Sequence, residues 1–146
     1  MSGQIDVGWA GAPFGVDAVE QGKIRVVAKA SDDPVLDRQT IRLLIANSKE
    51  MAQRPDVFVR FMRAYREALA WVYSTPEGLK AYAQWASISE ATARRALAEF
   101  LPKQAVDPDR ISGVDDVMAD AVTFKYIPAP LTKPQLDELI QIPERK

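Results

Sequence analysis

Apolar residues near the start of the chain follow the period of β-strands, whereas those in the rest follow the period of helices. Three short segments, residues 5–9, 24–28 and 40–46, have the alternating or continuous apolar pattern of strands. From Ser48 onward the apolar positions recur every three or four residues. Because helical stretches separate the strands, parallel pairing is favoured. The pattern predicts a helix-rich α/β chain with few strands followed by five or six helices.

Three strands form too small a sheet for the helices that accompany them. The longest predicted helix, from Pro55 to about Thr75, carries an apolar stripe along its whole length. The stripe consists of Val57, Phe58, Phe61, Met62, Tyr65, Leu69, Val72 and Tyr73. A strand at the beginning of the chain also needs neighbours to pair its N–H and C=O groups. We therefore expect these 146 residues to be part of a larger fold.

Several helix ends carry local signals. Ser48 and Thr75 precede helical patterns and are predicted N-caps. Thr132 and Gln135 have the spacing of a capping box at the start of the last helix. Gly22 is predicted to lie just after the end of a short helix, where a left-handed conformation is usual.

Composition excludes several kinds of site. The sequence contains no cysteine and no histidine, which removes disulfides, zinc–cysteine sites and histidine-based catalytic triads. The net charge is −1 with mixed signs throughout, so no electrostatic footprint for nucleic acid is present. The longest aliphatic run, Leu43–Ala46, is too short to cross a bilayer. No signal-peptide pattern is visible at the start.

Three stretches of the sequence, taken in order, predict a particular succession of strands, loops and helices. GQIDVGWAGAPFGVDAVEQGKIRVVA (Gly3–Ala28) reads as a strand end, a proline-containing loop, a helix closed by glycine and a second strand. Arg38–Glu77 then reads as a strand, a short helix and a proline-initiated long helix, and PLTKPQLDELI (Pro130–Ile140) as a closing helix. In this order and spacing they resemble the C-terminal half of periplasmic solute-binding proteins of the nitrate/sulfonate/taurine ABC-importer type.

The resemblance implies a partial type II periplasmic-binding-protein fold, in which a solute is held between two lobes. Residues 1–31 would be the end of the second lobe, 32–39 the return through the hinge, and 40–146 the C-terminal part of the first lobe with the closing helices. The implied function is a non-enzymatic solute-binding component of an ABC importer, for a small anionic or sulfonate-like solute. Its partner would be an ABC permease, its parent protein would be periplasmic, and no cofactor or metal is implied.

The resemblance also places a ligand-binding loop after the first strand. The loop consists of Trp9, Ala10, Gly11, Ala12, Pro13 and Phe14. Gly11 and Ala12 would bring backbone N–H groups close to an anion at the start of a predicted helix, Phe14–Gln21. Trp9 would offer a flat apolar surface to an organic tail. In the alternative interpretation Trp9 belongs to the core, Gly11 only makes a turn, and Pro13 only begins the helix.

Other candidate residues have simpler interpretations. Asp32 and Asp33 lie at the implied hinge and would pair with a ligand amine, or else form a solvated turn. Five further residues are interpreted as structural: Arg60, Arg63 and Arg66 as a solvated helix face, Trp71 and Trp85 as core.

Two other functions stay open. One is the thiamine-pyrimidine synthase branch of the same fold, which the absence of histidine and cysteine disfavours. The other is a self-associating helical interaction module. Buried apolar area contributes about 25 cal/mol per Å², so uncovered helix faces would favour a homodimer.

Overall fold

Seven α-helices make up most of the regular structure in this computed structural model, which describes residues 4–40 and 42–145. The helices are α1 (Val16–Glu20), α2 (Ser48–Gln53), α3 (Pro55–Ser74), α4 (Pro76–Ala86), α5 (Glu90–Glu99), α6 (Val114–Thr123) and α7 (Lys133–Leu139). Three short 3₁₀ helices lie at Ala30–Asp32, Leu36–Arg38 and Lys103–Val106. The prediction of a helix-rich chain is confirmed.

No β-strand is formed by the described residues, so the predicted strands at residues 5–9 and 24–28 are wrong. The same holds for the third predicted strand at Thr40 and at residues 42–46, while Ile41 lies outside the described residues. A strand exists only when its backbone groups pair with a neighbour. The apolar alternation gives these segments the propensity of strands, but among the described residues none of them finds such a neighbour.

Three helix ends lie where the capping signals predicted them. Thr75 Oγ1 accepts a hydrogen bond from the N–H of Gly78 at 3.0 Å, at the start of α4. The N–H of Thr132 donates to Gln135 Oε1 at 2.8 Å in the predicted capping box of α7. Gly22 has a φ of +66°, the left-handed conformation expected of a residue that follows a helix.

The N-cap of α2 lies one residue earlier than predicted. Asn47 Oδ1 accepts hydrogen bonds from the N–H groups of Lys49 at 3.0 Å and Glu50 at 3.2 Å. Ser48 is therefore the first residue of the helix rather than its cap. Asparagine and serine are both strong N-cap residues, and the extended backbone of Asn47 decides between them.

The chain divides into two compact units. The first unit contains the residues up to Val27 together with Ala68–Ala105, and the second contains Ala28–Glu67 together with the residues from Val106 onward. The predicted lobe boundaries at residues 31 and 40 concern the implied parent fold and stay a prediction.

The first unit contains a hydrophobic core between α4 and α5. Leu79, Ala83 and Ala93 are buried together at its centre. Tyr82, Ile88 and Leu97 pack around them and are partly exposed. The alanines bring the backbones of the two helices close together, because their side chains are small.

The described residues of the second unit form no comparable core. The buried side chains of the described residues all belong to the first unit: Val16, Leu79, Ala83, Thr92, Ala93, Ala96 and Leu101. In the second unit large apolar side chains are exposed, among them Leu43, Leu44, Ile45 and Phe61. The described residues therefore leave much of the apolar surface of this unit uncovered. Within the same residues, none of the helices combines the length and hydropathy that a membrane crossing requires.

Candidate functional site

The six predicted ligand-binding residues form one loop of the first unit, directly before α1. The N–H of Phe14 donates to the carbonyl of Gly11 at 3.1 Å. The N–H of Val16 donates to the carbonyl of Pro13 at 3.4 Å, and the Ala12–Pro13 peptide is cis. The loop therefore turns tightly into the helix.

Two aromatic side chains of this loop are almost fully exposed. Trp9 is 86% exposed and Phe14 is 79% exposed, so the interpretation of Trp9 as a core residue is wrong. A Cβ atom added to Gly11 would meet nothing within 4 Å. The loop thus offers a large aromatic surface next to unobstructed backbone. Its role in ligand binding stays a prediction.

Helix α1 is shorter than predicted. Its predicted range was Phe14–Gln21, and it extends only over Val16–Glu20. Gly15 has a φ of +82°, which keeps Phe14 and Gly15 outside the helix. A macrodipole arises from aligned peptide groups, and a five-residue helix contains few of them. A contribution of the α1 dipole to anion binding is therefore not supported.

Three polar contacts join helix α1 to α5, one of them between the Thr92 hydroxyl and Glu20 Oε2 at 3.3 Å. Val16 is buried. The hydroxyl of Thr92 donates to Asp17 Oδ1 at 2.6 Å. Glu20 Oε1 lies 3.7 Å from Nη1 of Arg95. These contacts join α1, which directly follows the loop, to α5.

Thr92 is the one polar residue with a buried side chain in the described part of the chain, with 1% of its surface exposed. Its own N–H donates to Ser89 Oγ at 3.0 Å, which makes Ser89 the N-cap of α5. The hydroxyl groups of Ser89 and Thr92 are 2.8 Å apart. Sequence reasoning missed Thr92. The available signal was its place four residues before Ala96, which puts a polar side chain on the buried face of α5.

Asp32 and Asp33 lie in turns of the second unit. Asp32 Oδ2 accepts the N–H of Lys29 at 2.7 Å. Asp33 Oδ1 accepts the N–H groups of Val35 at 2.7 Å and Leu36 at 3.1 Å. Both carboxylates are thus used by local backbone, as the turn interpretation expects. A role at a hinge stays a prediction.

The interpretation of the three arginines as a solvated face is right for two of them and wrong for the third. Arg63 is exposed, and Arg60 forms an exposed pair with Asp56 at 3.0 Å. Arg66 instead pairs with Asp109 at 2.6 Å, and both side chains are largely buried. Asp109 lies 43 residues away in the sequence, so a helix pattern contains no signal of this partner.

The arginine–aspartate cluster of the second unit changes the ionisation of its carboxyl group. Hydrogen bonding from Arg66 lowers the pKa of Asp109 below its ordinary value; burial opposes the shift, and Arg145 adds to it. Arg66 also donates to the carbonyl of Pro143, and Arg145 Nη2 lies 3.3 Å from Asp107 Oδ1. The arginines are occupied by protein groups, so this cluster is structural rather than a site for an anionic ligand.

The interpretation of two tryptophans as core residues is wrong. Trp85 is 80% exposed, and Trp71 is also exposed. In α4 the buried positions are Gly78, Leu79 and Ala83, and a residue two places after Ala83 lies on the opposite side of the helix. The ring of Trp85 contacts that of Tyr82 with a centroid distance of 6.0 Å.

The second unit has open surface cavities that contain none of the predicted site residues. One, of about 610 Å³, is lined by Arg38, Arg110, Ser112 and Asp115 among others. Another, of about 370 Å³, is lined by residues that include Val122 and Tyr126. No cluster of acidic side chains suited to a metal ion occurs among the residues that the structure describes.

Comparison with known proteins gives one match. A family model described as NMT1/THI5 like matches residues 1–79. The matched range is more than half of the chain and includes the loop Trp9–Phe14. Searches of curated proteins and of solved structures gave no match.

Proposed function

The chain belongs to the NMT1/THI5-like family, and from this premise we propose that it is a solute-binding component of an ABC importer. The family implies small-molecule binding in the context of ABC transport, and its members are mostly binding proteins rather than enzymes. The solute that we propose is a small anion or sulfonate with an organic tail. The proposed partner is an ABC permease, and the proposed location of the parent protein is the periplasm.

The exposed aromatic surface of Trp9 is the observation that supports this proposal most directly. Trp9 lies inside the range that matches the family and has no packing role in the first unit. A flat apolar ring on a loop suits the organic tail of a solute. The open space above Gly11 lets a ligand approach the backbone N–H groups beside it.

We further propose that the fold is completed by segments outside these 146 residues, as a partial type II periplasmic-binding-protein fold requires. The apolar side chains of the three strand-like segments support this. They are exposed at Ile5, Val7 and Trp9, at Ile24, Val26 and Val27, and at Leu43, Leu44 and Ile45. Strands that add to these segments would satisfy their backbone groups and cover their side chains.

The test is ligand-dependent thermal stabilisation of the protein made from its whole reading frame. Taurine, a series of alkylsulfonates, nitrate and a thiamine-pyrimidine precursor are added separately, and the midpoint of unfolding is measured. A solute at one hundred times its Kd stabilises the folded state by about 2.7 kcal/mol. We expect taurine or an alkylsulfonate to raise the midpoint. No stabilisation by any of the four classes would overturn the proposal.

A second candidate function is self-association, which the exposed Leu43, Leu44 and Ile45 favour. Light scattering on the 146-residue chain at increasing concentration tests it directly. Ile45→Gln is a suitable variant, because this exposed side chain contributes little to the fold. A mass that rises with concentration in the parent chain and falls in Ile45→Gln would support self-association. A monomer at all concentrations would contradict it.

A further inference from the structure

Helix α1 depends on contacts with another element. It has five residues, and its N-cap residue is Gly15, which has no side chain that could cap it. Isolated helices shorter than about 12 residues are marginal in water. The docking of α1 on α5 therefore determines whether this helix holds one position.

The contact between Thr92 and Asp17 is the shortest of the three polar contacts in this docking. The pair Glu20–Arg95 has a distance of 3.7 Å, and each side chain is about one-third exposed, so water and salt weaken it. The Thr92 hydroxyl is buried and lies 2.6 Å from a carboxylate oxygen. A charge-assisted hydrogen bond that is shielded from solvent on one side is stronger than an exposed ion pair.

The direction of the hydrogen bonds follows from valence. A carboxylate only accepts, and a hydroxyl has a single proton to donate. Thr92 therefore donates to Asp17, with Glu20 Oε2 a second acceptor at 3.3 Å. Because that proton is used, the contact between Ser89 Oγ and Thr92 Oγ1 has Ser89 as its donor. Ser89 caps α5, so the two hydroxyl groups connect the N-terminus of α5 to Asp17 of α1.

From this geometry we propose that Thr92 is a positioning residue for the loop Trp9–Phe14. Its hydroxyl donates a hydrogen bond to Asp17 of α1. The turn in which the N–H of Val16 donates to the carbonyl of Pro13 leads directly into this helix. The proposal has two consequences, and only the second, an effect of Thr92 on solute binding by the loop, rests on the proposed function. Its first consequence, the position of the loop, is independent of any ligand.

Hydrogen exchange on four variants tests the position of the loop. Thr92→Val removes the hydroxyl and keeps the branched shape, Thr92→Ser keeps the hydroxyl, and Asp17→Ala removes the acceptor from an exposed position. Thr123→Val is the control, since Thr123 is an exposed threonine in the second unit. We expect Thr92→Val and Asp17→Ala to raise exchange in residues 9–24 about tenfold. Thr92→Ser and Thr123→Val should stay within threefold of the parent.

The comparison with α4 and α5 separates positioning from general stability. A positioning role predicts that amides of these two helices exchange almost as in the parent, while residues 9–24 exchange faster. An equal rise over the whole first unit would overturn the proposal, and so would the absence of any rise. If Thr92→Val does not fold, the exposed Asp17→Ala decides the question by the same criteria.

Solute affinity tests the second consequence, with the solute that stabilises the parent protein. We expect Thr92→Val to raise the Kd about tenfold and Thr92→Ser to restore it to within threefold. Faster exchange of the loop with an unchanged Kd would overturn the link between Thr92 and binding. If the parent binds none of the tested solutes, the proposed function fails, and the exchange experiment alone decides the positioning role.

Discussion

Arg66 and Asp109 form a bidentate ion pair between α3 and the loop before α6. Arg66 Nη2 lies 2.6 Å from Oδ1 of Asp109, and Arg66 Nε lies 3.1 Å from Oδ2. Their side chains are 15% and 16% exposed. Because both side chains are largely shielded from solvent, removing one partner of this pair costs more than removing one partner of an exposed pair.

We predict that Asp109→Asn destabilises the chain by about 1.5–3 kcal/mol, the range for hydrogen bonds to charged groups. The substitution keeps the shape of the side chain but removes the charge that Arg66 and Arg145 face. Urea denaturation measures the change. Asp56→Asn is the matched control, because the Arg60–Asp56 pair is mostly exposed; its effect should stay below about 1 kcal/mol. Equal effects of the two variants would contradict the prediction.

The pKa of Asp109 predicts how the stability of the chain depends on pH. The folded state lowers this pKa, chiefly through the hydrogen bonds from Arg66. A lowered folded-state pKa gives a contribution that is fully present above the unfolded value of about 3.9 and is lost as pH falls through the folded value. The free-energy difference between the parent and Asp109→Asn should therefore be constant from pH 7 to about pH 5 and shrink below about pH 4. A difference that persists unchanged at pH 2 would contradict this assignment.

Gly78→Ala is predicted to destabilise the first unit. A Cβ at Gly78 would lie 2.4 Å from the carbonyl oxygen of Trp71 and 2.7 Å from Cα of Val72. These are backbone atoms, so relief requires α3 and α4 to separate, at a cost of about 1–3 kcal/mol. Gly11→Ala is the control, since nothing lies within 4 Å of its Cβ position. The midpoint of thermal or urea unfolding should be clearly lower for Gly78→Ala than for Gly11→Ala. Similar midpoints for the two variants would contradict the close approach of α3 and α4 at Gly78.

Trp9→Ala is predicted to weaken solute binding and to leave stability unchanged. The side chain is exposed, so its removal leaves no cavity, whereas the aromatic surface offered to a solute is lost. We expect a three- to tenfold rise in Kd, since an aromatic contact contributes about 0.5–1.5 kcal/mol. Calorimetry with the stabilising solute measures this change.

Trp85→Ala is the matched control for that experiment. Trp85 is exposed to a similar extent and belongs to the same unit, but it lies on α4 outside the loop. The Trp85→Ala variant should bind solute with the same Kd as the parent protein. Equal losses in the two variants would show that exposed aromatic area in general, and not the loop, determines binding.

Helix boundaries were predictable because their determinants are local. The caps at Thr75 and Thr132 use acceptors and donors three residues away. Pro55 begins α3 because its fixed φ suits the first helical position. Asn47 shows the limit of such signals, since two adjacent cap residues competed and only the backbone conformation selected one.

Strands and side-chain environments were less predictable because their determinants are distant in the sequence. The segment at residues 5–9 has the pattern of a strand, but the described residues supply no strand to pair with it. Arg66 became buried only through Asp109. Thr92 became important only because Asp17, which is 75 positions away, lies against it.

The sequence by itself therefore determined the extent of α3, the starts of α4 and α7, the absence of histidine and cysteine chemistry and the resemblance to a solute-binding family. The tertiary structure alone decided that Trp9 and Trp85 are exposed, that Arg66 is paired and that Thr92 holds α1. The physical reason is the distance along the sequence between the residues that interact. Helix hydrogen bonds and caps join residues within a turn of each other, whereas burial and ion pairing depend on which distant segments meet.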